Sequence, residues 1–284
     1  MTPGSSGLAL SLPSRVILGL PKALAITAFI ASLVGLAVAS FSDAAGHPSL
    51  ALYRSLLQSP AIQLVILRTL WVAAVVTLIS LVLAYPLALF IAQARNRDMM
   101  LILVLSPWLT SIVVRTFGWV VLLGNRGVIN QSLVGLGIID KPIQMIFTPG
   151  GMILGLVHVL LPFMVISILS VLVQLDRRLT EAGMSLGAGP IETFFRVTLP
   201  LSSPGALSGC ALVYLVSAGA IVTPLLLGGV RDRMMGTQIF QEIFGLYEFP
   251  RAAGLALILV VMSLLAVAPI QALDSWARRK VSGR

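Results

Sequence analysis

Long apolar runs with few charged residues fill most of this sequence and constrain its fold more than any other feature. About 20 apolar residues suffice to cross the hydrocarbon core of a bilayer as an α-helix. A segment in lipid must satisfy its own backbone hydrogen bonds, and these runs lack the alternation of barrel strands. The sequence therefore predicts an all-α transmembrane bundle of six spans. The spans are expected at about 23–41, 69–92, 99–123, 150–175, 205–227 and 252–273.

The composition supports this fold and excludes several functions. The chain is 58% hydrophobic and 10% charged, whereas soluble domains carry about 25% charged residues. A single cysteine, Cys210, excludes an intrachain disulfide, and two distant histidines do not match the spacing of a metal site. The sequence lacks a GxxxxGK[ST] phosphate loop, so we do not expect it to be an ATPase or another enzyme. We expect no metal or other cofactor in this chain.

The distribution of lysine and arginine predicts the orientation of the spans. Basic residues accumulate on the cytoplasmic side of membrane proteins. Here they are more frequent in the segments that share a side with the termini than in the alternate segments. We expect cytoplasmic tails at 1–22 and 274–284, a membrane domain at 23–273 and a cytoplasmic loop at 176–204. The net charge of +9 is scattered between the spans, so it does not indicate nucleic-acid binding.

The loop between spans 4 and 5 contains the signals of a short first helix. Thr180 is expected to cap this helix, with Glu181 in its first turn. Gly187 suits the left-handed conformation that ends a helix, and Pro190 suits the first turn of the next helix. A rigid helix below a membrane bundle is able to dock in the cleft of a partner. An ordinary surface loop is the alternative.

A second, amphipathic helix is predicted to follow in the same loop. Its apolar residues Phe194, Phe195 and Val197 would anchor it beneath the bundle. Pro200 and Pro204 lack a backbone N–H and are expected to end it before span 5.

The same loop resembles the EAA signature of ABC importer permeases. That signature reads Glu-Ala-Ala, three residues, Gly, nine residues, Ile, one residue and Leu-Pro. The matching positions are Glu181, Ala182, Gly187, Leu199 and Pro200, with Val197 in place of Ile and Gly183 in place of the third residue. The resemblance implies a helix that couples the bundle to an ATPase. Its residues would be Glu181, Ala182, Gly183, Met184, Ser185, Leu186, Gly187 and Ala188.

Further segments resemble the spermidine/putrescine-type branch of these permeases. They lie between about residues 65 and 275 and include Tyr85-Pro86, Pro107-Trp108, Phe147-Thr148-Pro149 and Leu160-Leu161-Pro162. The resemblance implies a bacterial inner membrane permease for a polyamine or a related small solute. It also implies two copies of an ATPase that hold ATP and Mg, a second homologous permease and a soluble solute-binding protein.

Polar and aromatic residues within the spans are candidates for the solute pathway. His158 lies near the middle of span 4, where polar residues are often functional, although packing against another helix explains it equally well. Aromatic rings are able to contact a cation, but many anchor spans at the membrane interface. Arg115 would contact another helix or subunit, or snorkel. The candidates are Tyr85, Trp108, Arg115, His158 and Tyr214, with Trp119 as a further ring.

Carboxylates are absent from the interior of the predicted spans. A polyamine would then meet Asp232, Glu242 or Glu248 in the outer segments, or groups on the partner proteins. Otherwise the solute is not a polyamine. A secondary transporter or channel that works without an ATPase is the alternative function, and a membrane scaffold is a third. Ion coupling usually needs ionisable groups at mid-membrane, which disfavours the secondary transporter.

Overall fold

The computed structural model describes residues 12–41, 50–185 and 187–282, and all helices and turns named below belong to these ranges. Side chains at 12–20, 177, 180, 182 and 274–282 are outside the description. Leu186, the first part of the predicted N-terminal tail and the last two residues of the C-terminal tail also lie outside it. The α-helices are α1 (Leu12–Phe41), α2 (Ala51–Gln58), α3 (Pro60–Gln93), α4 (Arg97–Leu105), α5 (Ile112–Leu123), α6 (Val128–Gly135), α7 (Pro149–Leu172), α8 (Arg177–Ser185), α9 (Pro190–Thr193), α10 (Leu199–Ala218), α11 (Val222–Leu227), α12 (Met235–Phe244) and α13 (Phe249–Ser282).

The described part of the chain contains six helical stretches that are long and apolar enough to cross a membrane, as predicted. They are Pro21–Phe41, Pro60–Gln93, Ile112–Gly135, Pro149–Leu172, Pro190–Ala218 and Phe249–Leu273. The first, fourth and sixth agree closely with the predicted spans. The second begins nine residues earlier than predicted, because Pro60 lies in the first turn of α3, where its missing N–H costs no hydrogen bond.

The predicted third span, 99–123, is not a single helix, which corrects the prediction. It is divided into α4, a 3₁₀ turn at Ser106–Leu109 and α5. Pro107 lacks the N–H that an unbroken helix would need here. The apolar stretch of sufficient length is Ile112–Gly135, which comprises α5 and, after a turn at Gly124, the short helix α6.

The fifth helical stretch also differs from the predicted span at 205–227. It begins at Pro190, so the predicted loop at 176–204 is shorter, and Pro200 and Pro204 do not end the helix. A π-helical turn at Phe194–Thr198 joins α9 to α10, and in it the N–H of Leu199 donates to the carbonyl of Phe194. A wide turn of this kind accommodates the ring of Pro200 without ending the helix. The stretch ends at Ala218, not at residue 227.

The largest hydrophobic core lies where α3, α7 and α10 meet. It contains fully buried residues from each helix, such as Val76, Met164 and Val213. Gly205 permits the close approach of α10 to α7, since a Cβ atom there would come within 2.8 Å of the carbonyl oxygen of Ser167. Helix α13 packs on α10, and α1 packs on α13 at the periphery. The arrangement makes α3, α7 and α10 the central helices of the bundle.

The segment from Gly219 to α12 folds back over the end of the bundle where α3 begins. The hydroxyl oxygen of Thr69 in α3 accepts a hydrogen bond of 2.9 Å from the N–H of Met235. The guanidinium of Arg68 donates to the carbonyl of Arg231 and lies 3.8 Å from a carboxylate oxygen of Asp232. Polar contacts from two adjacent positions of α3 therefore fix the segment that connects α11 and α12.

Replacing Gly236 with alanine is expected to destabilise the protein by about 1–3 kcal/mol, because it overpacks a fixed contact. A Cβ atom at Gly236 would lie 2.5 Å from the backbone oxygen of Ala220, which cannot move aside as a side chain can. Gly118→Ala in α5 is the matched control, since its Cβ would meet nothing within 4 Å. Thermal unfolding in detergent measures both. Equal stability of the two variants would contradict this packing.

Candidate functional site

Helix α8 begins earlier than the sequence analysis predicted. Its first residue is Arg177, and a carboxylate oxygen of Asp176 accepts a hydrogen bond of 2.9 Å from the N–H of Arg178. Asp176 therefore caps the helix, and the prediction that Thr180 does so is wrong. Aspartate is as good a cap as threonine, and here it precedes the helix. Glu181 consequently lies in the middle of α8 rather than in its first turn.

The other end of α8 has the turn that the sequence predicts. Gly187 has φ = +89°, in the left-handed region that favours glycine. Its N–H donates to the carbonyl of Met184, and the N–H of Ala188 donates to the carbonyl of Gly183. These two bonds form a Schellman motif, which satisfies carbonyls at the end of the helix. Pro190 lies in the first turn of α9, also as predicted.

One face of α8 packs on the start of the fifth helical stretch. A Cβ atom on Gly183 would lie 3.5 Å from the Cγ2 atom of Thr193 and 3.6 Å from that of Val197, both ordinary contacts. An alanine would therefore fit at this position, where the sequence departs from the EAA signature. The packing holds α8 against the residues that continue into α10.

Outside this contact, the surface of α8 is open and partly apolar. Leu179 and Met184 are each 48% exposed. Glu181 and Ser185 are exposed too, and the hydroxyl of Ser185 donates to the carbonyl of Glu181. Helix α8 therefore has exposed apolar and acidic groups in addition to its packed face.

The residues predicted to anchor the second helix differ in their burial. Phe194 packs against the main core, and its ring lies edge-on to that of Tyr85 with centroids 5.5 Å apart. Phe195 is 60% exposed, so it does not anchor the helix within this chain. The hydroxyls of Tyr85 and Ser202 are hydrogen-bonded to each other. Tyr85 is therefore enclosed between α3 and the start of α10.

Arg115 stabilises the break between α4 and α5. Its guanidinium donates to the carbonyl of Pro107 and, at 2.9 Å, to that of Thr110. Both carbonyls lie at the break, and that of Pro107 also accepts the N–H of Thr110 in the 3₁₀ turn, so Arg115 adds a side-chain donor at this point. Trp108 lies in the same turn, is 51% exposed and contacts Phe163 edge-on with centroids 4.5 Å apart.

His158 in α7 is paired with Trp119 in α5. The indole N–H of Trp119 donates to Nδ1 of His158 at 3.1 Å, and the ring centroids are 5.5 Å apart. Since Nδ1 accepts this bond, the neutral ring carries its proton on Nε2. Arg115 and Trp119 are one helical turn apart, so they lie on the same face of α5. The structure thus brings Arg115, Trp119 and His158 to the α5–α7 side of the bundle.

Tyr214 lies apart from this group. It is buried, and it packs in a cluster with Ala73, Ala218 and Val267 between α3, α10 and α13. Tyr85 is also buried but lies more than three helical turns further along α3 than Ala73. The five candidate pathway residues therefore do not converge on one site in this conformation.

Two of the outer carboxylates named as polyamine contacts already have partners. Asp232 faces Arg68. Glu242 is buried at 1% exposure, and one of its carboxylate oxygens accepts hydrogen bonds from Gln238 at 2.9 Å and from Arg251 at 3.1 Å. Sequence reasoning missed the Arg68–Asp232 pair and the Tyr85–Ser202 bond, because no local pattern joins residues so far apart. Opposite charge alone was the available signal for Arg68 and Asp232.

Known proteins resemble this chain over most of its length. A family model described as the binding-protein-dependent transport system inner membrane component matches residues 55–283. The chain is 38% identical over 204 residues to the spermidine/putrescine transport system permease protein PotB of Escherichia coli K12. This alignment covers 71% of the present chain and 74% of that protein. It is 30% identical over 204 residues to the molybdenum transport system permease protein ModB of Azotobacter vinelandii, covering 70% and 88%.

Solved structures of ABC transporters have a fold similar to that of this chain. A bacterial ABC transporter involved in the import of the acidic polysaccharide alginate matches with a TM-score of 0.73 and 19% identity, over 92% of this chain and 96% of that chain. The MetNI methionine ABC transporter matches with a TM-score of 0.52 and 15% identity, over 78% and 99%. At these identities the likeness concerns the fold alone. With most of its sequence matched by the family model, this chain belongs to the family of inner membrane components of binding-protein-dependent transport systems.

Proposed function

We propose that this permease subunit forms part of the path by which an ATP-driven importer moves a polyamine or a related small solute across a bacterial inner membrane. A soluble binding protein delivers the solute, and a second, homologous permease completes the path. Two copies of a separate ATPase, which bind ATP and Mg, drive the cycle. The observation that carries this proposal is α8, a capped helix with one packed face and one open face.

The open face of α8 is suited to an ATPase that transmits force. Leu179 and Met184 supply exposed apolar surface, and Glu181 supplies a charge at its centre. The packed face rests on Thr193 and Val197, so displacement of α8 would be passed to the continuous helix that begins at Pro190. This supports Glu181–Ala188 as the coupling segment. We infer that the segment is cytoplasmic, which puts both termini of the chain in the cytoplasm, as the basic residues predict.

The substrate class is supported by the similarity to the spermidine/putrescine permease, which exceeds that to the molybdenum permease in identity. The predicted spans contain aromatic rings but no carboxylates, and Asp232 and Glu242 already have cationic partners. Charge recognition of a polyamine would therefore fall chiefly to the binding protein. Within this chain, Trp108, Arg115 and His158 are less buried than Tyr85 and Tyr214, which makes them the better candidates for contact with the solute.

Reconstituting the complete complex in proteoliposomes tests this function. We expect uptake of radiolabelled spermidine or putrescine that requires the binding protein, the ATPase and hydrolysable ATP. A non-hydrolysable ATP analogue is the control for nucleotide binding without turnover, and it should abolish uptake. Uptake by this chain without the ATPase would instead support a secondary transporter. Uptake of molybdate, but of neither polyamine, would contradict the substrate class and leave the ATP-driven mechanism standing.

A further inference from the structure

Tyr85 makes a hydrogen bond that joins α3 to the base of α10. Its hydroxyl pairs with that of Ser202, and both side chains are buried. Ser202 donates its own proton to the carbonyl of Thr198 at 2.7 Å. Since a hydroxyl has one proton to donate, Tyr85 must be the donor to Ser202. The bond therefore has a defined direction and ties α3 to Ser202 near the start of α10.

The ring of Tyr85 contacts the π-helical turn itself. The ring of Phe194 lies edge-on to that of Tyr85, with centroids 5.5 Å apart. Aromatic pairs attract each other in this arrangement. Phe194 is the first residue of the π-helical turn. π-Helical turns are rare and often occur at functional sites. Tyr85 thus contacts this turn through its ring and the start of α10 through its hydroxyl.

Helix α8 contacts the same turn from the other side. Gly183 faces Thr193 and Val197, which lie on either side of Phe194 along the chain. A continuous series of packed contacts therefore leads from α8 through residues 193–197 to Tyr85 in α3. Helix α10 also packs directly on α3, α7 and α13, so this series is one of several routes from α8 to the core.

The geometry points to Tyr85 as the positioning residue through which the coupling segment moves α3. This inference rests on the proposed function and deepens it. Tyr85 contacts neither solute nor nucleotide in this role. Removing the Tyr85 hydroxyl should uncouple ATP hydrolysis from solute import. Hydrolysis would continue, but less solute would be imported per ATP. The loss should be partial because the direct packing of α10 on α3 and α7 remains.

A double-mutant cycle on Tyr85 and Ser202 tests the inference in the complete complex. Tyr85→Phe keeps the ring and removes the hydroxyl, and Ser202→Ala removes its partner. Each is expected to lower the ratio of spermidine imported to ATP hydrolysed by about fivefold, the equivalent of one buried hydrogen bond. The double variant should lose no more than either single variant, because both remove the same bond.

The chain provides a matched control in α1 and α2, away from Tyr85. The hydroxyl of Tyr53 donates to that of Ser40 at 2.7 Å, and the ring of Tyr53 lies 4.9 Å from that of Phe41. This pair has the same chemistry but belongs to α2 and α1, away from α8. Tyr53→Phe should keep the wild-type ratio. A ratio in Tyr85→Phe equal to that of Tyr53→Phe would overturn the inference, as would additive losses in the double variant.

The outcomes also separate this inference from the proposed function. If the wild-type complex imports no spermidine with ATP, the proposed function fails. If the wild-type complex imports spermidine and Tyr85→Phe retains full coupling, the inference alone fails. Thermal unfolding of each variant identifies losses that come from the fold, and a variant that unfolds early counts against a specific role in coupling.

Discussion

Deleting Glu181–Gly187 is expected to abolish both the binding of the ATPase subunits and ATP-driven uptake, while the spans remain folded. The deletion removes most of the open face of α8 and the left-handed turn that ends it. Loss of a central contact cluster in an interface costs roughly 2–4 kcal/mol, which weakens binding by about 100-fold. Affinity purification through this chain measures the retained ATPase, and hydrolysis assays measure its stimulation by solute-loaded binding protein.

A pair of glycine substitutions tests the same segment without shortening the chain. Gly187→Ala forces a side chain into φ = +89° and should cost about 1–2 kcal/mol, which distorts the end of α8. Gly189→Ala is the control. A Cβ atom at either position would meet nothing within 4 Å, and Gly189 has an ordinary φ of −69°. Gly187→Ala should weaken ATPase binding and Gly189→Ala should not. Full ATPase retention after the deletion would show that α8 is not the coupling segment.

The sequence predicts the uninterrupted spans well, since each is a long apolar run between polar ends. Helices α1, α7 and α13 follow these runs closely. The interrupted spans are harder because proline and glycine occur inside membrane helices as well as at their ends. Pro204 and Gly205 lie within α10, whereas Gly219 follows its last residue, Ala218. The break before α5 depends on Arg115, whose bonds to the carbonyls of Pro107 and Thr110 form only in the folded chain.

In the candidate site, too, the features set by neighbouring residues were predictable from the sequence, whereas contacts between distant residues were not. Gly187 and Pro190 were predicted correctly, because their backbone conformations follow from their own chemistry. The cap of α8 was predicted wrongly, because Asp176 and Thr180 are both good caps and packing decides between them. The contact of Tyr85 with Ser202 joins residues 117 positions apart. A single sequence contains no signal for such a pair, so its role emerges only from the structure.

Replacing Arg251 with alanine is expected to destabilise the contact between α12 and α13 by about 3 kcal/mol, because it leaves a buried carboxylate without its cationic partner. Glu242 is 1% exposed and accepts a hydrogen bond of 3.1 Å from Arg251. The guanidinium is itself 43% exposed, which places the expected cost at the lower end of the range for buried pairs. Denaturation in detergent micelles measures the change in the free energy of unfolding.

An exposed ion pair provides the control for Arg251. Arg196 lies 2.9 Å from Glu192 one helical turn away, and both side chains are well exposed. Arg196→Ala should cost only about 0.3–0.5 kcal/mol, as solvent screens such pairs. Adding Glu242→Gln to Arg251→Ala should restore part of the stability, since a neutral amide carries no uncompensated charge into the interior. Equal losses for Arg251→Ala and Arg196→Ala, or no recovery in the double variant, would show that Glu242 is not a buried anion held by Arg251. The joint between α12 and α13 would then depend on apolar packing alone.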